Sequence, residues 1–151
     1  MYFLILVPLL LIIAYQDVKY RAVSILLFVV LFFSVLLVRF LVGMPFISSV
    51  TIINIVYIFL LMIILLGYFR IRFKSWAMLK RGLGLGDLVF WMIIAFLLSS
   101  QLFLIWFNST LILALAVHMI CSRFGWYGSK EKIPLAGIQA LLLIPFLFFN
   151  Q

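Results

Sequence analysis

The sequence predicts an all-α protein, a polytopic membrane bundle of about six transmembrane helices, and three observations lead to this fold class. Only 9% of the 151 residues are charged and 70% are hydrophobic, whereas soluble domains are about 25% charged. Several apolar runs approach the roughly 20 residues that cross a hydrocarbon core. These runs are continuous and lack the period-2 alternation of a membrane β-barrel. They must therefore cross the lipid as helices, in which the backbone N–H and C=O groups hydrogen-bond to one another. Since no repeat or long linker interrupts the chain, we expect one membrane-embedded domain over residues 1–151.

Polar residues divide the apolar runs into six predicted spans. The spans cover residues 2–16, 22–42, 49–69, 83–98, 102–122 and 133–149. The first span lacks the basic region and the small-residue cleavage site of a signal peptide, so we expect a retained helix. Between the fourth and fifth spans the chain could break at residues 99–101 or 108–110. At about 1.5 Å rise per residue the second choice leaves the fifth span too short, and we place the break at 99–101.

The basic residues predict the orientation of these spans. A net charge of +8 would favour nucleic acid in a soluble protein, but here the charges fall in short loops, and we expect no nucleic acid partner. With six spans, ten of the eleven Lys and Arg residues share one face: Lys19, Arg21, Arg70, Arg72, Lys74, Lys80, Arg81, Arg123, Lys130 and Lys132. The positive-inside rule makes that face cytoplasmic and places both termini outside.

Three acidic residues, Asp17, Asp87 and Glu131, all map to this cytoplasmic side. Glu131 stands between two lysines in a loop, which is typical of a solvated charge. Asp17 ends the first apolar helix and Asp87 begins the fourth, where a carboxylate is costly and tends to be functional. Each also has a structural interpretation, since Asp17 could pair with Arg21 four residues later and Asp87 could cap a helix that begins at Leu88. Two carboxyl groups at one membrane depth also suit acid and base catalysis, because close carboxylates share a proton.

Glycines precede the second aspartate, in the order Gly82-Leu83-Gly84-Leu85-Gly86-Asp87. Residues without a Cβ let another backbone approach closely, so an extended peptide could lie beside Asp87, with Gly84 and Gly86 as substrate-binding residues. A phosphate-binding loop is the competing interpretation. It requires a preceding strand and a Gly-Lys-Ser/Thr ending, and the sequence has neither.

These motifs resemble those of the prepilin peptidase family, the type IV leader peptidases, which are GxGD-type intramembrane aspartic proteases. The sequence 84–87 looks like the second catalytic motif of the family, and the sequence 16–21 looks like the first. The sequence 132–137, which contains Pro134, is similar to the stretch that opens the last helix of the family. The likeness covers nearly the whole chain in order.

The resemblance implies a membrane aspartic endopeptidase in the bacterial cytoplasmic (inner) membrane, with Asp17 and Asp87 as the catalytic residues. Its substrate would be a type IV pilin-like or pseudopilin precursor, cleaved at the cytoplasmic face after a small residue, where the apolar helix of the precursor begins. The pair of aspartates titrates as a unit, so the protonated member is not assigned. The substrate itself, the pathway it serves and the oligomeric state are left open.

The chain departs from the family pattern in two places. Many members have a lysine two residues after the second aspartate, where this chain has Val89. The longer bacterial enzymes carry an N-terminal region with paired cysteines, associated with methylation of the product. This chain has one cysteine, Cys121, and we expect a short, peptidase-only form.

We expect no metal or cofactor, because the chain has no CxxC pair and no second ligand at helical spacing from His118. Polar residues such as Asn54, Gln101 and Gln139 are interpreted as bundle or turn contacts, and Trp106 as part of an interfacial aromatic belt. Two other functions remain open. The same aspartate pair could relay protons in a small transporter or channel subunit, or the protein could be a scaffold in which both aspartates only pair and cap.

Overall fold

The computed structural model describes residues 5–73, 84–123 and 135–149, which form six α-helices and no strand. The fold class predicted from the sequence is therefore confirmed as all-α over these residues. The helices are α1 (Leu6–Tyr20), α2 (Ile25–Leu41), α3 (Ser49–Phe73), α4 (Leu85–Ala95), α5 (Ser100–Arg123) and α6 (Leu135–Phe149). In the bundle α6 packs on α1, α4 and α5, while α4 also contacts α2 and α3.

Two of these helices are long and apolar enough to cross a membrane. They span Ser49–Tyr68, with mean hydropathy 2.7, and Ser100–Val117, with mean hydropathy 1.7. Shorter apolar helices cover Ile25–Leu41, Leu85–Ala95 and Leu135–Leu147. With 11 residues, α4 is about 16 Å long, roughly half the thickness of a hydrocarbon core. The six-span arrangement therefore stays a prediction.

The ends of the helices differ from the predicted spans at functionally important points. The first helix continues to Tyr20, so Asp17 lies within its last turn. Arg21 follows in the left-handed conformation with φ 56°, and its N–H donates to the carbonyl of Asp17 at 2.9 Å. This bond is an αL C-terminal cap. The fourth helix begins at Leu85, two residues inside its predicted span and three residues before the Leu88 start of the capping interpretation, so Asp87 lies inside its first turn.

Buried donors account for the break between α4 and α5. The chain leaves the helix at residues 96–99, beside the predicted break, while Asn108 lies within α5. The last carbonyls of a helix lack partners inside the helix. Here the side-chain amide of Asn54 donates to the carbonyls of Ala95 at 3.1 Å and Leu98 at 3.0 Å, and the Arg39 guanidinium donates to that of Phe96. The interpretation of Asn54 as a bundle contact is thus confirmed.

Aromatic residues of α4 and α5 occupy the core. Trp91 and Phe107 pack edge to face with their centroids 4.9 Å apart, and Phe103 stacks on Phe107 at 5.5 Å. Trp106 is fully buried beside them, so its placement in an interfacial belt was wrong. The sequence showed an aromatic residue in an apolar helix. The tertiary packing of this ring, 6.0 Å from Phe103 and 6.3 Å from both Phe90 and Phe107, turns it inwards.

Glycine lets α6 approach α1 closely. A Cβ atom at Gly137 would lie 3.1 Å from the Cβ of Asp17 and 3.2 Å from the carbonyl oxygen of Ala14. Such distances are shorter than nearly all real Cβ contacts. The first turn of α6 therefore rests directly on the end of α1.

Candidate active site

Asp17 is held in the interface between α1 and α6. Its side chain is only 7% exposed, and its Oδ2 accepts a hydrogen bond of 2.6 Å from the backbone N–H of Gly137. The charge of Arg21 also acts on this carboxyl group. The carboxyl group is therefore hydrogen-bonded to the backbone and largely shielded from solvent.

Asp87 uses both of its carboxyl oxygens. Oδ2 accepts from the N–H of Gly84 at 3.0 Å, which caps the start of α4. Oδ1 accepts from the N–H of Ala136 at 3.1 Å, across to α6. The capping interpretation of Asp87 therefore describes one oxygen only, because the other reaches a different helix.

The two aspartates meet at the amino end of α6. Their carboxyl oxygens accept hydrogen bonds from the N–H groups of two successive residues, Ala136 and Gly137. Both residues belong to the first turn of α6, which starts at Leu135. The first N–H groups of a helix have no partner within it, and the helix dipole is positive at that end. Anions bind there for both reasons. The structure thus brings together Asp17 and Asp87, which lie 70 residues apart in the sequence.

This geometry places the two carboxyl groups on adjacent backbone amides of one helix. Two close carboxylates cannot readily both ionise, so a pair of this kind tends to hold one proton. The ionised member could then activate a water molecule while the protonated member donates to a carbonyl oxygen. The same pair could pass a proton between two compartments.

Sequence reasoning missed Gly137 and Ala136 as residues of the site. The sequence did carry a signal, since Pro134 stands directly before α6 and proline marks the start of many helices. It contained nothing to indicate that the amide groups of this turn would bind the two carboxyl groups.

Gly84 and Gly86 stand just before Asp87, and each has a neighbour that a Cβ would crowd. At Gly84 a Cβ would lie 3.2 Å from Oδ2 of Asp87, and at Gly86 it would lie 3.3 Å from the ring of Phe28. Their small size therefore serves the carboxyl group of Asp87 and the approach of α2. Their part in binding a peptide stays a prediction.

A buried chain of hydrogen bonds lies one helical turn below the aspartates. Trp91, four residues after Asp87, donates its Nε1–H to Oε1 of Gln139 at 2.6 Å. Gln139, three residues after Ala136, donates its Nε2–H to Oγ1 of Thr110 at 3.2 Å. All three side chains are buried. The chain joins α4, α6 and α5, and it confirms the interpretation of Gln139 as a bundle contact.

Other residues singled out in the sequence lie elsewhere. Val89 is 45% exposed on the opposite face of α4 from the core, and Gln101 is exposed in the first turn of α5. Glu131 and the side chains of His118 and Cys121 lie outside the part of the chain that the structure describes. Among the described residues no three His, Cys, Asp or Glu side chains come together.

Comparison with known proteins finds no match to a family model, to a curated protein or to a solved structure. The aspartate pair and its surroundings are therefore the features that indicate a function.

Proposed function

We propose that this protein is a membrane aspartic endopeptidase of the prepilin leader peptidase type, which cleaves pilin-like or pseudopilin precursors. One observation carries the proposal. Asp17 and Asp87, on different helices, accept hydrogen bonds from successive backbone amides at the start of α6. A pair that served only as helix caps would not need two carboxyl groups at one helix end, whereas aspartic proteolysis requires them side by side.

The exposed apolar surface supports a location in a membrane. Only 17% of the Ser49–Tyr68 window and 28% of the Ser100–Val117 window are buried in the protein, whereas the core helix of a soluble domain is mostly buried. Large side chains such as Ile63, Ile71 and Ile112 are 68%, 82% and 70% exposed. A soluble monomer rarely exposes apolar area on this scale. We propose six spans in the bacterial inner membrane.

The orientation follows from the charges. Since ten of the eleven basic residues share the face on which both aspartates lie in the six-span arrangement, that face is cytoplasmic and both termini are outside. A precursor whose basic leader remains in the cytoplasm would present its scissile bond at this depth. Asp17 and Asp87 share the acid and base roles as a pair.

The test is cleavage of a pilin-like precursor by the purified protein in liposomes. Asp17→Asn and Asp87→Asn are compared with the wild type at equal folded amounts, and Glu131→Gln, which removes the third acid, is the matched control. We expect the wild type and Glu131→Gln to remove the leader and both aspartate variants to retain it. Processing that survives either aspartate substitution removes that residue from catalysis.

The same preparation separates proteolysis from proton transport. If no precursor is processed and the liposomes show a proton flux that both aspartate substitutions abolish, the pair is a relay. If neither activity is present, the result contradicts both functions and favours a structural role for the two aspartates.

A further inference from the structure

An apolar groove runs along α2 and α4, and one end of it includes Gly86, the residue before Asp87. Its volume is about 750 Å³, in the range of sites that bind ligands. It is lined entirely by apolar residues and glycine: Val23, Ile25, Phe28, Val29, Phe32, Phe33, Leu85, Gly86, Leu88, Val89, Met92, Ile93 and Phe96. None of these side chains is charged or forms part of the aspartate pair.

The floor of the groove is built from aromatic side chains that other rings hold in place. Phe28 is 4% exposed and its ring centroid lies 6.5 Å from that of Phe90. Further along, Phe32 and Phe96 pack edge to face at 6.0 Å. A floor fixed in this way is a preformed concave surface.

The walls of the groove are open to the surroundings. Ile25 and Leu85 are 80% and 82% exposed at one end, Phe33 is 64% exposed at the other, and Val29 and Val89 are about half exposed between them. The groove is therefore accessible from the side of the bundle, so that an occupant can enter it laterally.

The position of the groove limits what can bind there. Its lining includes Gly86, the residue next to Asp87, where the absence of a Cβ leaves Phe28 room to approach. A peptide whose scissile bond reaches Asp87 must place the adjoining residues along a neighbouring surface, and this groove begins there. Because its lining is apolar and opens to lipid, a peptide segment bound there must satisfy its own backbone, which requires a helix.

We propose that this groove binds an apolar helix of the protein substrate, the segment that adjoins the scissile bond. The inference rests on the proposed peptidase function and deepens it. From Leu85 to Phe96 the groove follows α4 for about 16 Å, which corresponds to about three helical turns of substrate. Side chains spaced three and four residues apart would enter the groove along one face of that helix.

The first test blocks the groove with tryptophan. Val29→Trp and Val89→Trp fill it from its two walls, whereas Val30→Trp adds the same side chain on α2 outside the lining and is the matched control. Each variant is given two substrates, a full precursor with its apolar helix and a short soluble peptide that carries only the scissile sequence. We expect the ratio of precursor cleavage to peptide cleavage to fall about tenfold in the two groove variants and to keep the wild-type value in Val30→Trp.

The second test reads binding without cleavage. A benzophenone side chain is placed at position 29, 89 or 30 in the Asp87→Asn protein, in liposomes with labelled precursor. We expect cross-links to the apolar helix of the precursor from positions 29 and 89 that exceed those from position 30. Cross-links to lipid alone, or equal yields at all three positions, overturn the groove as a substrate site, as does an unchanged cleavage ratio.

The two proposals fail in different ways. A wild-type protein that cleaves neither substrate contradicts the peptidase function, while selective cross-linking at positions 29 and 89 would still show that the groove binds an apolar helix. Cleavage of both substrates without selective cross-linking keeps the peptidase function and contradicts the groove.

Discussion

Asp17 accepts a hydrogen bond of 2.6 Å from the backbone N–H of Gly137, a residue 120 positions further along the chain. A Cβ at Gly137 would lie 3.1 Å from both the Cβ and Oδ2 of Asp17, so glycine at that position allows this close approach. This contact joins α1 to α6, and the preceding residue Ala136 donates to Asp87 of α4. The site is therefore assembled by helix packing as much as by the aspartates.

Gly137→Ala is expected to push α6 away from α1. The added methyl group overpacks the interface, which typically costs about 1–3 kcal/mol, and the displaced amide weakens its bond to Asp17. We expect a lower melting temperature in detergent and a larger loss of precursor cleavage than of folded protein. Gly67→Ala in α3 is the control, since its Cβ would meet nothing within 4 Å. Equal behaviour of the two variants would contradict the close-approach role of Gly137.

The two Asp to Asn substitutions are expected to differ in stability although both abolish cleavage. Asp87 accepts backbone N–H groups with both oxygens, and an amide would turn an NH₂ group towards one of these donors. Asp17 accepts from Gly137 through Oδ2, and asparagine keeps one acceptor oxygen for that bond. We expect Asp87→Asn to lose about 1–3 kcal/mol more than Asp17→Asn, the cost of one unsatisfied buried group.

Denaturant unfolding in a fixed detergent measures this difference. Asp87→Glu is a useful comparison, because it keeps the charge and moves the carboxyl group by one methylene. If Asp17→Asn is the less stable of the two asparagine variants, the assignment of hydrogen bonds at α6 is wrong.

Gln139→Leu is expected to remove the hydrogen bonds that join α6 to Trp91 and Thr110, one turn from the aspartates. It leaves the buried Nε1–H of Trp91 without its acceptor, at a cost of about 1–3 kcal/mol. Because Gln139 joins α6 to α4 and α5, we expect cleavage to fall more than the folded fraction does. Gln101→Leu is the control on an exposed position of α5. A cleavage rate that simply follows the folded fraction would limit Gln139 to a stabilising role.

Precursor cleavage is expected to have a bell-shaped dependence on pH. At low pH both aspartates are protonated and no base activates water, and at high pH both are ionised and no acid protonates the carbonyl oxygen. The rate should therefore fall on both sides of an optimum. Initial rates in liposomes at constant ionic strength measure the profile, and melting temperatures over the same pH range control for unfolding. A rate that changes in one direction only would exclude a pair that shares a single proton.

The sequence by itself determined the helical fold, the chain break near residue 99 and the membership of Asp17 and Asp87 in helix ends. These features follow from composition and from apolar runs, and both can be read from short stretches of sequence. The assignment of Asn54 and Gln139 as bundle contacts follows as well, because an isolated polar side chain in an apolar helix requires a partner.

Only the tertiary structure decided how these elements form a site. It brings the amides of Ala136 and Gly137 to the carboxyl groups, starts α4 at Leu85 so that Asp87 faces α6, and buries Trp106 in the core. Each of these outcomes depends on contacts between helices far apart in the chain. Local sequence patterns do not specify which helix faces contact one another, because those contacts depend on how the side chains of several helices pack together.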